Sequence, residues 1–156
     1  MYMHLSGMSQ DHLPVLPCMC GNFRRTARAL TQLYDLALRP LGLRATQFTI
    51  LQFLSLAGEV SQGHLGEMLA MDSTTLTRTL EIMARRGWIA ERRGEDRRER
   101  WLRLAKAGEA QLHRALPAWE KVQTRLRRQV GEQAWKNLLQ LTNQVAELVT
   151  SKGDSK

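Results

Sequence analysis

No apolar run in this chain of 156 residues approaches the roughly 18 residues of a membrane-crossing helix, so no membrane partner is expected. Cysteine is nearly absent. Cys18 and Cys20, one residue apart, are the only two, which excludes a disulfide framework and a four-ligand zinc site. His4, His12, His64 and His113 are scattered without ligand spacing. There is no glycine-rich phosphate loop, no nucleophile–base pair and no cluster of carboxylates on one helical face, so neither catalysis nor a cofactor is expected. Met1 to Pro17 mixes His4, Asp11 and His12 with single apolar residues and has no continuous hydrophobic region. A signal peptide is therefore not expected, and a cytoplasmic, reducing location is. Proline and glycine are dispersed, and neither internal repeats nor low-complexity stretches occur.

Acid is also in short supply. The 15 Asp and Glu face 23 Lys and Arg, leaving a net charge of +8. Such an excess favours an anionic partner, nucleic acid or membrane surface, without choosing between a specific binder and a charge-driven one. With 43% hydrophobic residues the chain can bury a core and is most simply one domain.

Apolar residues recur at helical spacing through Phe23, Ala27, Leu30, Leu33/Tyr34 and Ala37/Leu38, and Pro40 and Gly42 stop this first helix. A second helix is expected over Thr46–Leu56, with Phe48, Leu51 and Leu54 or Phe53 inward. Ser61 is placed to cap a third, short helix carrying Leu65, Met68 and Leu69. Asp72 or Ser73 caps a fourth, whose stripe is Leu76, Leu80 and Met83. Beyond Gly87, Trp88–Arg92 and Arg100–Leu104 read as two strands around a charged turn. After Lys106-Ala107-Gly108 a long helix shows Leu112, Leu116, Trp119, Val122, Leu126 and Val130, with Pro117 expected to kink it. A last helix follows Gly131 with Leu138, Leu141, Val145, Leu148 and Val149, and the tail Ser151–Lys156 is expected to fray.

The chemistry lies in residues 72–104. On the fourth helix Thr74, Arg78, Glu81 and Arg85 point away from the apolar stripe, flanked by Thr75 and Thr77. Hydroxyls and a helix N-terminus hold phosphates, and arginine pairs with guanine O6 and N7. Ser73 lies nearer the apolar side, where capping is its simpler role. The hairpin that follows carries Arg92, Arg93, Arg97, Arg98, Arg100 and Arg103 against Glu95, Asp96 and Glu99. Asp96, two residues before Arg98, is placed to orient that guanidinium. Either element alone reads as a solvated charged surface. A polar-faced helix beside a basic ribbon suits the two grooves of a duplex. The outer helices carry apolar stripes with no partner inside so small a central unit, and a second copy of the chain would bury them.

These segments resemble the MarR (multiple antibiotic resistance regulator) family of winged-helix transcription factors, from about Cys20 to the end of the last helix. The carriers are Leu41-Gly42-Leu43-Arg44-Ala45-Thr46-Gln47-Phe48, Leu65-Gly66-Glu67-Met68-Leu69, Asp72-Ser73-Thr74-Thr75-Leu76-Thr77-Arg78 and Arg85-Arg86-Gly87-Trp88-Ile89. The wing signature Asp96-Arg97-Arg98, then Leu102-Arg103-Leu104 and Ala107-Gly108, completes them. Ala105 departs from the pattern, since the family usually has a threonine there. The resemblance implies a mainly α-helical winged helix–turn–helix protein: a leader over 1–19, a dimerisation helix and connector over 20–45, a DNA-binding domain over 46–105, C-terminal dimerisation helices over 106–151 and a tail over 152–156. It further implies a homodimeric repressor on a palindromic double-stranded operator. The implied DNA contacts are Ser73, Thr74, Thr75, Thr77, Arg78, Arg85, Asp96, Arg97 and Arg98, with the wing-tip arginine in the minor groove.

For the input signal, the resemblance implies a cavity between the dimer helices and the winged domain, taking a small aromatic or phenolic effector. Arg24, Arg25 or Arg28 would offer a basic wall and Tyr34 a phenolic hydroxyl. The alternative input is thiol oxidation or soft-metal capture at Cys18 and Cys20, which sit just before the first helix. The alternative function is a charge-driven, non-specific nucleic-acid binder.

Overall fold

The apolar stripes decide which faces turn inward. The computed structural model describes residues 13–150, and the expectations placed on 1–12 and 151–156, His4, His12 and the frayed tail among them, lie outside the described residues. The chain runs α1 (Met19–Leu38), a 3-10 turn (Arg39–Leu41), α2 (Ala45–Ala57), β1 (Val60–Ser61), α3 (Gln62–Leu69), α4 (Ser73–Arg85), β2 (Ile89–Arg93), β3 (Arg100–Leu104), α5 (Lys106–Val130) and α6 (Glu132–Thr150). It is a mainly helical winged helix–turn–helix fold, as the sequence suggests. The three expected inward residues of α4, Leu76, Leu80 and Met83, are at most 1% exposed. They join Leu38, Phe48, Leu51, Leu65, Trp88, Leu102 and Leu112 in one core.

Two differences concern secondary structure. Val60–Ser61 forms a short strand that the sequence did not reveal, pairing antiparallel with β3 in the register Val60–Leu102. The sheet order is therefore β1-β3-β2, with Leu102 of the central strand fully buried. α5 starts at Lys106, so Gly108 lies inside its first turn rather than ahead of it. A Cβ at Gly108 would collide with the Trp88 carbonyl oxygen, which accepts the Ala105 N–H at 3.0 Å. Ala105 occupies the N-cap of α5 without a side-chain hydrogen bond, as expected where threonine is missing. Pro117 is carried inside this continuous 25-residue helix.

Side-chain caps set the starts of three helices. Asp35 of α1 accepts the Ala45 N–H at 2.7 Å and pairs with Arg44 at 3.2 Å, so the start of α2 is capped from another helix. Gln47 Oε1 accepts the Arg44 N–H at 3.0 Å. Ser61 caps α3 by accepting from His64 N–H, and Asp72, not Ser73, caps α4 by accepting from Thr75 N–H. Between α3 and α4, Ala70 adopts φ +50, and Met71 N–H closes onto Gly66 carbonyl at 2.9 Å. This left-handed turn sets the angle between the two helices.

The outer helices are the least covered part. α6 has no buried residue, and Leu138, Leu141, Leu148 and Val149 are 46%, 57%, 63% and 69% exposed. Met19, Phe23 and Leu30 of α1 are also exposed. None of the helices described is long and apolar enough to cross a membrane.

Candidate nucleic-acid interface

α4 presents what its sequence promises. With Leu76, Leu80 and Met83 inward, Ser73, Thr74, Thr75, Arg78, Glu81 and Arg85 are exposed. Thr77 is half-buried, at the edge of that face. Thr75 hydrogen bonds, side chain and backbone, hold the Asp72 carboxyl below its usual range. The cap is therefore a carboxylate at neutral pH, and it satisfies one of the N-terminal amides that would otherwise face a phosphate.

The wing arginines divide into two groups. Arg92 pairs with Glu59 and lies 5.1 Å over the Trp101 ring, which fixes β2 against the loop before β1. That hydrogen bond holds the Glu59 carboxyl below its ordinary range and raises the Arg92 guanidinium. Arg100 pairs with Glu91 across the hairpin, and Arg93 donates to the Arg97 carbonyl at 3.2 Å. These arginines build the wing. At its tip, by contrast, the Arg97 and Arg98 guanidinium groups make no hydrogen bond or ion pair among the described residues, and both side chains are exposed.

Asp96 acts differently from its expected role. Its Oδ1 accepts the backbone N–H of Arg98 at 2.9 Å and does not hold that guanidinium. A carboxylate two residues upstream reaches the backbone of a tight turn more readily than a long side chain directed outward. Asp96 thus shapes the turn, and the arginines extend from it.

A groove of 1690 Å³ separates the start of α4 from the wing, bringing Ser73, Thr77 and Arg98 to one concavity with Gln62, Arg93 and Arg100. Thr74, Thr75, Arg78, Arg85, Asp96 and Arg97 are not among its lining. The link from Gln62 through Arg100 to Glu91 was not legible in the sequence, because it joins residues on three separate elements. Arg86 is structural, donating to the Gly42 carbonyl at 3.0 Å and stacking 5.0 Å from Trp88.

A second, smaller cavity of 310 Å³ lies under α1, lined by Tyr34, Phe48, Thr49, Gln52, Trp119 and Gln123 with neighbouring residues. Phe48 and Trp119 approach at 5.8 Å. Burial pushes the Tyr34 phenol up, so its hydroxyl stays protonated and able to donate. Arg24 and Arg28 are exposed on α1 and do not line this cavity. Arg25 is engaged elsewhere, donating to the Pro14 carbonyl at 2.8 Å and to Asn22 at 3.2 Å. The expected basic wall is therefore not part of the cavity in a single protomer. Cys18 precedes α1 and Cys20 lies in its first turn, both exposed. Among the described residues no group of His, Cys, Asp and Glu is arranged to hold a metal ion.

Comparison with known proteins agrees with this architecture. A family model described as the MarR family matches residues 41–99. An HTH-type transcriptional regulator of Bacillus subtilis, YwoH, is 32% identical over 85 residues, 54% of this chain. The matched part spans 62% of that relative's length. The transcriptional regulator MosR of M. tuberculosis, in a crystal structure with DNA, is 35% identical over 87% of this chain and 98% of its own, with a TM-score of 0.77. MarR of E. coli, crystallised with operator DNA, shares the fold at 21% identity, a TM-score of 0.72, and coverage of 81% of this chain and 92% of its own.

Proposed function

Since this chain belongs to the MarR family of winged-helix transcriptional regulators, whose members bind DNA, we propose that it is a homodimeric repressor reading a palindromic operator. One observation carries this reading. Among the described residues the guanidinium groups of the wing-tip Arg97 and Arg98 have no partner while those of Arg92 and Arg100 are tied down, and α4 offers Arg78 and Arg85 on its exposed face. Fixed arginines stiffen the ribbon. Free ones at its tip are available to a phosphate or to a narrow minor groove. Ser73, Thr74, Thr75 and Thr77 supply hydroxyls at the N-terminal half of the reading helix, and Asp96 holds the wing turn.

Competition tests this reading. The protein should keep a selected operator in the presence of excess random duplex at moderate salt, where a charge-driven binder would lose it. Arg98→Ala should weaken binding and flatten its salt dependence by about one counterion, with little effect on sequence preference. Arg78→Ala should instead relax preference at one base pair, at a cost of about 1–3 kcal/mol. Both variants should keep the wild-type circular dichroism spectrum and melting curve, since both side chains leave the core.

For the signal, the cavity under α1 supports a small aromatic or phenolic effector. Its lining is aromatic and uncharged, with Tyr34, Thr49, Gln52 and Gln123 as hydrogen-bonding groups. No cation is there to hold a carboxylate, so an uncharged phenol fits a single protomer better than an aromatic acid. An effector acts only through a difference in affinity between the DNA-competent wing spacing and another. A second reading has its own observation: Cys18 and Cys20 are both exposed, so oxidant or a thiophilic metal can reach them. Operator release is the measurement. Release by an uncharged phenol, lost in Tyr34→Ala, assigns the cavity. Release by peroxide or arsenite, lost in the Cys18→Ser/Cys20→Ser variant, assigns the thiols.

A further inference from the structure

One hydrogen-bonded chain crosses the groove between the reading helix and the wing. Gln62, the first residue of α3, donates from Nε2 to Thr77 Oγ1 at 2.9 Å. Its Oε1 accepts from Arg100 Nη1 at 3.4 Å. Arg100 in turn is paired with Glu91 on the neighbouring strand, both side chains only about a quarter exposed, at 24% and 26%. The polarity of this chain is forced. A guanidinium has donors and no acceptor, so the amide oxygen must face Arg100 and the amide nitrogen must face Thr77. Thr77 is therefore the acceptor in its bond with Gln62, and its own proton points elsewhere.

That proton has no partner in the helix. Thr49, Thr79, Thr142 and Thr150 each donate to the carbonyl four residues back, at 2.9 to 3.1 Å. The Thr77 hydroxyl makes no such bond. It lines the groove beside Ser73 and Arg98, with its proton left for whatever enters.

We propose that Gln62 is a positioning residue that fixes the Thr77 hydroxyl as a hydrogen-bond donor towards DNA, with Glu91 and Arg100 holding the amide in that sense. Thr77 then favours the acceptor edges of guanine or thymine over the donor edge of cytosine. The same link ties the wing to the reading helix, because Arg100 belongs to the wing.

This proposal rests on α4 being the base-reading helix. The test starts from a duplex selected by the wild-type protein out of a random pool, and measures Kd for it and for an unrelated duplex. Gln62→Leu should lower the ratio of the two affinities about tenfold, as should Thr77→Val, within the range of one good base contact. The double variant should be no worse than either single one, and Thr77→Ser should retain most of the ratio. Gln62→Glu keeps the Arg100 partner but has no donor, so it draws the Thr77 proton inward and should change the preferred base pair. A partly unfolded variant loses active protein equally on both duplexes and leaves the ratio intact. An unchanged ratio in Gln62→Leu, or an equal further loss on adding it to Thr77→Val, overturns the proposal. A wild-type protein that selects no duplex at all overturns the base-reading role of α4 and this proposal with it.

Discussion

Replacing Leu141 or Leu148 with aspartate is expected to convert the protein to a monomer and to lower operator affinity by at least about a hundredfold. The size of the effect follows from symmetry. A leucine moved from water into an apolar contact contributes about 1.5–3 kcal/mol, and in a two-fold interface each substitution removes it twice. An unpaired carboxylate placed there adds a desolvation cost of several kcal/mol. DNA binding falls with dimerisation because two half-sites linked in one particle gain about 10²–10⁴ in avidity that separate protomers lack. Both side chains are more than half exposed on α6, which carries no buried residue in the protomer, so their removal should leave the winged domain intact. Sedimentation velocity reads the association state, and near-ultraviolet circular dichroism reads the packing around Trp88 and Trp101. A Leu141→Asp protein that still sediments as a dimer would place the interface elsewhere.

The same residues show how far the sequence could be read. α4 was fully legible, because Leu76, Leu80 and Met83 are an unbroken helical stripe and its polar face follows from geometry alone. The paired strands were legible because Trp101 and Arg103 alternate with Leu102 and Leu104. What escaped depends on contacts between distant residues. β1 has two residues, too few for any alternation, and exists only because Leu102 lies opposite Val60. The start of α2 is capped by Asp35, ten residues before Ala45 and on another helix. Met68 fits the apolar spacing of α3 yet is 57% exposed, since so short a helix buries one side and Leu65 already fills it.

The candidate site divides along the same line. Exposure of Arg78, Arg85, Arg97 and Arg98 was legible from pattern and turn chemistry. Whether an arginine was free was not. Arg92 and Arg98 look alike in the chain, and only Glu59, 33 residues from Arg92, separates a structural arginine from an available one. Arg24 and Arg28 likewise follow from being on the right helix, but their side of α1 is not the side of Tyr34 and the cavity.

Gly108 carries the second large effect. Gly108→Ala is expected to destabilise the protein by about 3 kcal/mol, the upper end of what overpacking a tight site costs. The new Cβ would meet the carbonyl oxygen of Trp88, and the Leu104 side chain at 3.0 Å. A flexible side chain can yield, but the Trp88 backbone cannot, because its carbonyl is already fixed by the Ala105 N–H and its ring is buried in the core. The first turn of α5 would have to lift off the start of β2. For a domain of this size that corresponds to a fall in Tm of roughly 6–12 °C. Gly63→Ala supplies the contrast, since Gly63 lies in α3 with nothing within 4 Å of its added Cβ. There alanine should be neutral or stabilising by up to about 1 kcal/mol, through helix propensity and a less flexible unfolded chain. Thermal melts at one fixed protein concentration compare the two directly. Because this joint links the wing to the helix that leads into the proposed dimer contacts, any Gly108→Ala protein that folds should also bind its operator more weakly. Equal Tm values for the two variants would mean that α5 is not seated on Trp88 as the close approach requires.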